Sequence, residues 1–513
     1  MPAEKDSNTT HTTGSGDVEK ISDTADSVKH VQTQTQVEVY HIDKEAEKRL
    51  LRKLDWVLMP MFTAIFCCNF IDRTSIARLI RTSPGNAKVA GLEKDLGMKG
   101  FNLNVALTIF YIFYNISDIP SNLLLKHFGS KWLAFLVTGF GVVTMFSSLM
   151  TNYAGLIASR VFLGLTEGGT LSALVYILAR YYRRHELVLR VGIFFGIAPS
   201  IAGAFGGLLA SGLLRINDIG IVTSWRKIFL IEGLVTTVFG IVLFFIVPED
   251  PRTTKLLNEE ERKLAIARLD ADAVVKTQGR KEKTSWKLVG RSFNFLTVAL
   301  TLCFTLLNMS FQGLSLFLPP VINTLGNYSV IEVQLRTVPP YLASAVWVVL
   351  NAYISQRMRK RFLPLLYNMI LVVVGYSITV STRNSSARYA ACFLILMGAS
   401  VGGPMILIWG TDNAAPDTMR AVVTAVIPGI GAFGAILGVW TYLSVDAPDY
   451  RKGNFANLAS ASTIFILVVI ITLYIRWENK KRDRGDRDHR VIGKSAEELE
   501  QLGYLHPEFR YQI

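Results

Sequence analysis

The sequence predicts an all-α membrane protein with twelve transmembrane helices in two six-helix bundles. Three observations carry that expectation. Apolar runs of about 20 residues recur along the chain, the length a helix needs to cross ~30 Å of hydrocarbon at ~1.5 Å per residue. Lysine and arginine gather at alternate ends of those runs, and a polar stretch at 248–290 divides them six and six. The chain of 513 residues is 50% hydrophobic, and its mean hydropathy of +0.33 is diluted by polar ends at 1–50 and 478–513.

Taken in order, the chain opens with a segment rich in Ser, Thr, Asp and Gln and nearly free of large apolar residues. Residues 1–53 are therefore expected to form a disordered cytoplasmic tail. These polar residues contain no apolar core, so no signal peptide is expected, and the first span serves as signal and anchor together. The N-terminal bundle occupies 54–247, with spans near 54–76, 103–124, 132–150, 154–178, 191–214 and 226–247. The cytoplasmic middle loop, 248–290, holds an amphipathic segment over 258–269. Its Leu264, Ile266, Ala267 and Leu269 can lie on the membrane surface or against the bundle. The C-terminal bundle occupies 291–477, with spans near 293–318, 338–356, 363–381, 388–410, 421–443 and 457–477. Residues 478–513 read as a solvated, charge-mixed cytoplasmic tail.

A net charge of +14 does not point to nucleic acid here. Arg180, Arg183, Arg184 and Arg190, and Arg357, Arg359, Lys360 and Arg361, sit beside helix ends, whereas the opposite loop at 151–155 carries none. This asymmetry places both termini and the middle loop in the cytoplasm. Cys67, Cys68, Cys303 and Cys392 all fall within apolar spans and lack ligand spacing, so they read as packing residues. No metal, cofactor or enzymatic activity is expected, because no nucleophile–base pair, metal cluster or phosphate loop is present. The expected partners are a small anionic substrate, protons and the lipid bilayer, with no nucleic acid, and the chain is expected to act as a monomer.

An internal repeat supports two related halves. Gly203-Ala-Phe-Gly-Gly-Leu-Leu209 in the fifth span matches Gly431-Ala-Phe-Gly-Ala-Ile-Leu437 in the eleventh, the same place in each half. Parallel halves related by an axis along the membrane normal describe the major facilitator architecture. Gly429-x-Gly431-x-x-Gly434 also matches a dinucleotide fingerprint, but it lies inside an apolar helix with no preceding strand. Small residues at this spacing, as at Gly192/Gly196 and Gly434/Gly438, instead let helices approach closely. In this architecture such surfaces are expected where the halves rock against each other.

Ionisable residues inside the spans carry the functional signal, since each costs ~2.5–3.5 kcal/mol at a helix centre. Arg160 and Glu167 are two turns apart on nearly one face of the fourth span, ~10 Å apart along its axis, with Gly164 between them. One reading is a charge pair that holds helices together. The other is a proton-coupled anion site, in which Glu167 titrates and the arginine, which keeps its charge, meets a substrate. Asp72-Arg73 near the outer end of the first span suits binding or gating, or a surface anchor in which Arg73 snorkels outward. Asp118, near the cytoplasmic end of the second span, suits a gating contact. Asn308 and Gln312 face one way on the seventh span and, with Asn351, Trp409 and Asn413, can orient a polar ligand or bond neighbouring helices. Asp412 and Asp417 are expected to pair with Arg420 at a cytoplasmic turn.

These residues form part of a wider pattern. It comprises Asn69-Phe-Ile-Asp72-Arg73-Thr74, Gly85-Asn-Ala-Lys-Val-Ala-Gly-Leu-Glu93, Asp118-Ile-Pro-Ser-Asn122, and Arg160-Val-Phe-Leu-Gly164 with Glu167-Gly168. Further on come Pro248-Glu-Asp-Pro251, Glu259-Glu-Glu-Arg262, Thr337-Val-Pro-Pro-Tyr341, Arg420-Ala421 and His506-Pro-Glu-Phe-Arg-Tyr511. From about residue 50 onward the chain resembles the fungal anion:cation symporters of the major facilitator superfamily, the allantoate and nicotinate permease group. The resemblance implies proton-coupled uptake of a small carboxylate or related anion across the plasma membrane. It places Arg73 and Glu167 at substrate and proton-coupling positions and gives Arg160 a less definite duty; Asp72, Asp118 and Arg420 are expected to act in gating. Three departures stand out. Lys126 replaces an aspartate of the general superfamily signature. Ser172-Ala173 replaces a Pro-Gly pair, so the fourth span is expected to be straighter. Residues 77–84 are inserted relative to the family and suggest a misplaced splice boundary or an outer loop extension. Export of a secondary metabolite or drug is the alternative function. Asn327-Tyr-Ser329 and Asn384-Ser-Ser386 fall in outer loops as glycosylation acceptors.

Overall fold

In hydrocarbon every backbone N–H and C=O must be satisfied within the protein, so each apolar run closes on itself as an α-helix. A computed structural model of the chain describes residues 43–78, 92–213, 216, 225–277, 286–326, 328–358, 360–415, 417–494, 498–499 and 502–513. The first half consists of α1 (Lys44–Arg78), α2 (Asn102–Phe128), α3 (Ser130–Ser147), α4 (Tyr153–Glu167), α5 (Thr170–Ala179), α6 (Arg184–Leu213) and α7 (Trp225–Ile246). The middle segment carries α8 (Glu259–Thr277). The second half consists of α9 (Phe295–Asn323), α10 (Val330–Met358), α11 (Phe362–Ser381), α12 (Ser385–Asp412), α13 (Asp417–Gly431), α14 (Phe433–Val439) and α15 (Arg451–Asp483). Among the described residues, 11 spans are long and apolar enough to cross a membrane. The 27-residue α2 supplies one more, with α4 and α5 together forming the fourth span and α13 and α14 the eleventh.

The halves meet mainly along α6 and α10. A Cβ added at Gly196 would stand 2.6 Å from Val348, and one at Gly203 would stand 2.5 Å from the Tyr341 ring. Ser200 and Ser344 hydroxyls join the same two helices at 3.0 Å. At the end opposite the termini, Asn104 Nδ2 donates to Val439 O at 2.6 Å and Trp440 Nε1 to Thr108 Oγ1 at 3.0 Å. The expectation for the glycine surfaces needs one correction. Gly434 and Gly438 pack inside the second half on α9, where an added Cβ would lie 2.0 Å from Thr305 O and 2.6 Å from Met309 O.

The middle segment lies against the bundle. Leu264 and Ala265 of α8 are buried. Arg268, 1% exposed, donates to Glu47 at 2.7 Å and to Glu186 at 2.6 Å. Lys53 pairs with Glu261 at 2.6 Å, and Arg183 bonds both Glu47 and the Arg268 carbonyl. Arg268→Ala is expected to free α8, read as faster limited proteolysis within 259–277 while the bundle stays intact. Unchanged cleavage would show that the clamp is dispensable.

The tail at 478–513 is a second correction. Composition reads as solvated, but α15 runs to Asp483 and the segment beyond it folds back onto the second half. Arg482 Nη1 donates to Phe509 O at 2.7 Å and Nη2 to Tyr504 O at 2.9 Å, while the Tyr511 ring lies 4.7 Å away. Asn479 and Tyr511 exchange two hydrogen bonds of 2.9 Å. Gln512 N donates to Asn413 Oδ1 at 2.7 Å, and Gln512 O accepts from Asn413 Nδ2 and Trp409 Nε1 at 3.0 Å each. The expected disorder of the first residues and the glycosylation acceptor Asn327 lie outside the described residues, as do residues 79–84 of the insertion.

Candidate functional site

The site grows from four helices of the first half. Near its far end α1 carries Asn69, Asp72, Arg73 and Ser75 on buried positions. Helix α4, capped by Asn152 on Gly155 N at 2.8 Å, descends 15 residues and ends on Glu167, which is 0% exposed. Arg73 is 5% exposed, so it does not snorkel outward as one sequence reading allowed. Its guanidinium turns inward onto Glu167, with Nη2 and Nε at 3.3 and 3.4 Å from Oε2, and Nη2 also donates to Asn69 Oδ1 at 2.9 Å.

Aromatic faces enclose that ion pair. Arg73 Cζ lies 4.7 Å from the Tyr114 ring centroid, 5.3 Å from Phe110, 5.7 Å from Tyr111 and 6.0 Å from Phe70. Such faces stabilise a desolvated cation without supplying a full counter-charge. Phe70 in turn meets Phe311 of the opposite half at 6.3 Å, so the box borders the interface between halves. Glu167 Oε1, Asn69 Nδ2 and the Tyr111 hydroxyl are buried and have no hydrogen-bond partner among the described residues. Buried polar atoms normally find partners, so these three outline a place for a polar ligand atom.

Arg160 does not join Glu167, despite sharing a helix face. It is 1% exposed, its guanidinium lies 6.0 Å from the Phe229 ring of α7, and its Nε has no partner among the described residues. Beside it lies a second acidic group. Both oxygens of buried Asp72 lack a hydrogen-bond partner among the described residues, and Glu232 of α7 accepts from Ser75 Oγ. Sequence reading missed Glu232, although an acidic residue within the sixth apolar run was signal enough to find it. It also missed Tyr111 and Tyr114, because aromatic residues in a membrane helix carry no distinguishing mark.

The other candidates are dispersed. Asp118 stays within the first half, accepting from Ser172 Oγ at 2.8 Å and Asn122 Nδ2 at 3.3 Å. Asn308 donates to Gly431 O at 3.1 Å and ties α9 to α13. Gln312, next to Phe311, keeps a buried Oε1 without a partner among the described residues, which leaves it open to a ligand. Asn413 is spent on Trp409 O and the tail, so its amide is not directed at a ligand. Arg420 Nε donates to Thr411 O, and Asp412 bonds Arg361 at 3.1 Å; the side chain of Asp417, the other expected partner of Arg420, lies outside the described residues. Asn384 is exposed and caps α12 through Ser386 N and Ala387 N.

Nor is the fourth span straight. It breaks after Glu167, where Gly168 has ψ 140° and Gly169 has φ 79°, a left-handed conformation that disfavours any side chain. Replacing the family's Pro-Gly by Ser172-Ala173 therefore does not remove the irregularity; the two glycines create it.

Two helical halves, the first of which holds a buried, partly unsatisfied charged site at its border with the second, describe a multi-pass membrane transporter. Residues 63–439 match the Major Facilitator Superfamily profile, and the chain belongs to that superfamily. Relatives cover nearly its whole length. An uncharacterised transporter of Schizosaccharomyces pombe is 30% identical over 92% of each chain. The MFS-type transporter efuF of Hormonema carpetanum is 33% identical over 87% of this chain and 89% of its own. Among solved structures, the proton:xylose symporter XylE aligns with a TM-score of 0.61 over 81% of this chain and 95% of its own, at 14% identity, a likeness of fold.

Proposed function

We propose that this transporter couples entry of a small organic anion to protons by alternating access, as expected for the fungal anion:cation symporter group. The buried Arg73–Glu167 pair carries this reading. Arg73 keeps its charge, whereas a desolvated carboxylate can be neutralised by one proton. Protonated Glu167 releases the guanidinium for an incoming anion, and Asn69 Nδ2 and the Tyr111 hydroxyl stand ready as further donors. An empty, unprotonated site is closed by its internal ion pair, and a loaded site by the external anion. Both states conceal their charge, which lets the halves close over the site.

Phe311 borders the pocket from the second half, Gln312 acts as a further substrate contact, and Asp72, Asp118 and Arg420 act in gating. The arginine clusters orient both termini and the middle loop to the cytoplasm, and the plasma membrane is the site of action, with the chain working as a monomer. The reading predicts that Arg73→Lys lowers uptake efficiency roughly 10–100-fold, because an ammonium cannot replace the forked donors. Uptake at the wild-type level in that variant would remove Arg73 from the site. Asn384, exposed on the outer side, is expected to carry a glycan; unchanged gel migration after glycosidase treatment would contradict that.

A further inference from the structure

The break in the fourth span has consequences beyond shape. An interrupted helix within a membrane must have its freed backbone groups satisfied from elsewhere. At this break α2 grips the last turn of α4: Ser117 Oγ donates to Gly164 O at 3.1 Å, a carbonyl that already accepts the helical bond from Gly168 N at 3.0 Å. The two helices touch closely, since a Cβ at Gly168 would lie 1.7 Å from Ser117 Oγ and one at Gly169 would lie 2.3 Å from Ser121 Oγ. Below the joint, α5 is tied to α2 by the 2.8 Å hydrogen bond from Ser172 Oγ to Asp118 Oδ1. At its far end Arg180 bonds Asp250 at 2.7 Å, at the edge of the middle segment. The Thr170 hydroxyl, 0% exposed and lacking a partner among the described residues, sits at the first turn of α5.

We infer that Gly168–Gly169 is a joint and Ser172–Asp118 its latch, together relaying the state of Glu167 to α5. The inference rests on the reading of Glu167 as the proton-loaded group. Glu167 is the last helical residue before the joint, so its side chain fixes the end of α4 only while it is held by Arg73. Once that pair opens, α4 and α5 can change their mutual angle about two residues that carry no side chain. The Ser172 hydroxyl then sets how readily α5 leaves α2. Ser172 is a positioning residue: it contacts neither Arg73 nor Glu167 and acts through the helix between them.

Hydrogen–deuterium exchange of the full chain in nanodiscs tests this without knowledge of the substrate. Ser172→Ala is expected to raise exchange of amides 170–176 about tenfold, leaving 154–164 unchanged, because it removes a hydrogen bond to a charged group. Ser172→Thr retains the hydroxyl and should restore the wild-type pattern. Glu167→Gln should raise exchange in the same segment, and the double variant should match the larger single effect. Unchanged 170–176 exchange in Ser172→Ala would overturn the latch. Raised exchange in Ser172→Ala with none in Glu167→Gln would overturn the relay. Wild-type protein that takes up no anion but shows the predicted exchange pattern would remove the transport reading and leave the joint standing.

Discussion

Glu167→Gln is expected to abolish proton-driven accumulation while leaving the protein folded. The amide keeps the size of the side chain, but being neutral it holds Arg73 only weakly, and it cannot take up or release a proton. Exchange of labelled substrate across the membrane, which needs no net proton movement, should persist in this variant. Accumulation should no longer depend on external pH. Glu167→Ala is a harsher change, since it leaves Arg73 buried without its carboxylate; breaking a buried pair this way costs about 3–5 kcal/mol. The two variants therefore separate coupling from stability. Accumulation at pH 5 by Glu167→Gln equal to wild type would assign the proton to another group, with Asp72 and Glu232 next in line by burial and position.

Arg482→Ala is expected to release the tail. Its guanidinium, 4% exposed, bonds Glu478 at 3.3 Å and the carbonyls of Tyr504, His506 and Phe509, and it faces the Tyr511 ring. Alanine strips three carbonyls of their donor at once and leaves Glu478 to Arg487 alone. Each of the lost charge-assisted bonds contributes about 1.5–3 kcal/mol, more than each of the neutral bonds that remain from Asn413, Trp409 and Asn479. Limited proteolysis should then cut within 484–513 and the melting temperature should fall. Arg482→Lys, which keeps the charge but not the fork, should fall between. A protected tail in Arg482→Ala would show that Asn413, Trp409 and Asn479 hold the tail by themselves.

Much of this molecule was legible in its residues, for reasons that differ from place to place. Span length and hydropathy specify each helix locally, so both bundles could be read directly. Glu167 stood out because an acid inside an apolar run is rare and expensive. Its partner was less legible. Arg160 is nearer in sequence and shares a helix face, but Arg73 meets Glu167 because α1 and α4 pack together, and no local rule reports that. Nothing local in the sequence marked the two glycines after Glu167 as a break; their effect came from the left-handed Gly169 and the close approach of α2. The tail misled for the opposite reason. A charged composition ordinarily means solvation, but here Arg482 gathers carbonyls from residues far along the chain, and only the folded tail reveals it.

The most direct test of the central claim is uptake by cells expressing the chain, using labelled nicotinate, allantoate, pantothenate, sulfate and a dipeptide. Each would be measured at external pH 5 and pH 7, with and without a protonophore. Accumulation of one anion at pH 5 that the protonophore abolishes is the predicted result. Failure to accumulate any anion, together with lower retention of a hydrophobic compound, would contradict it and assign the transporter to export.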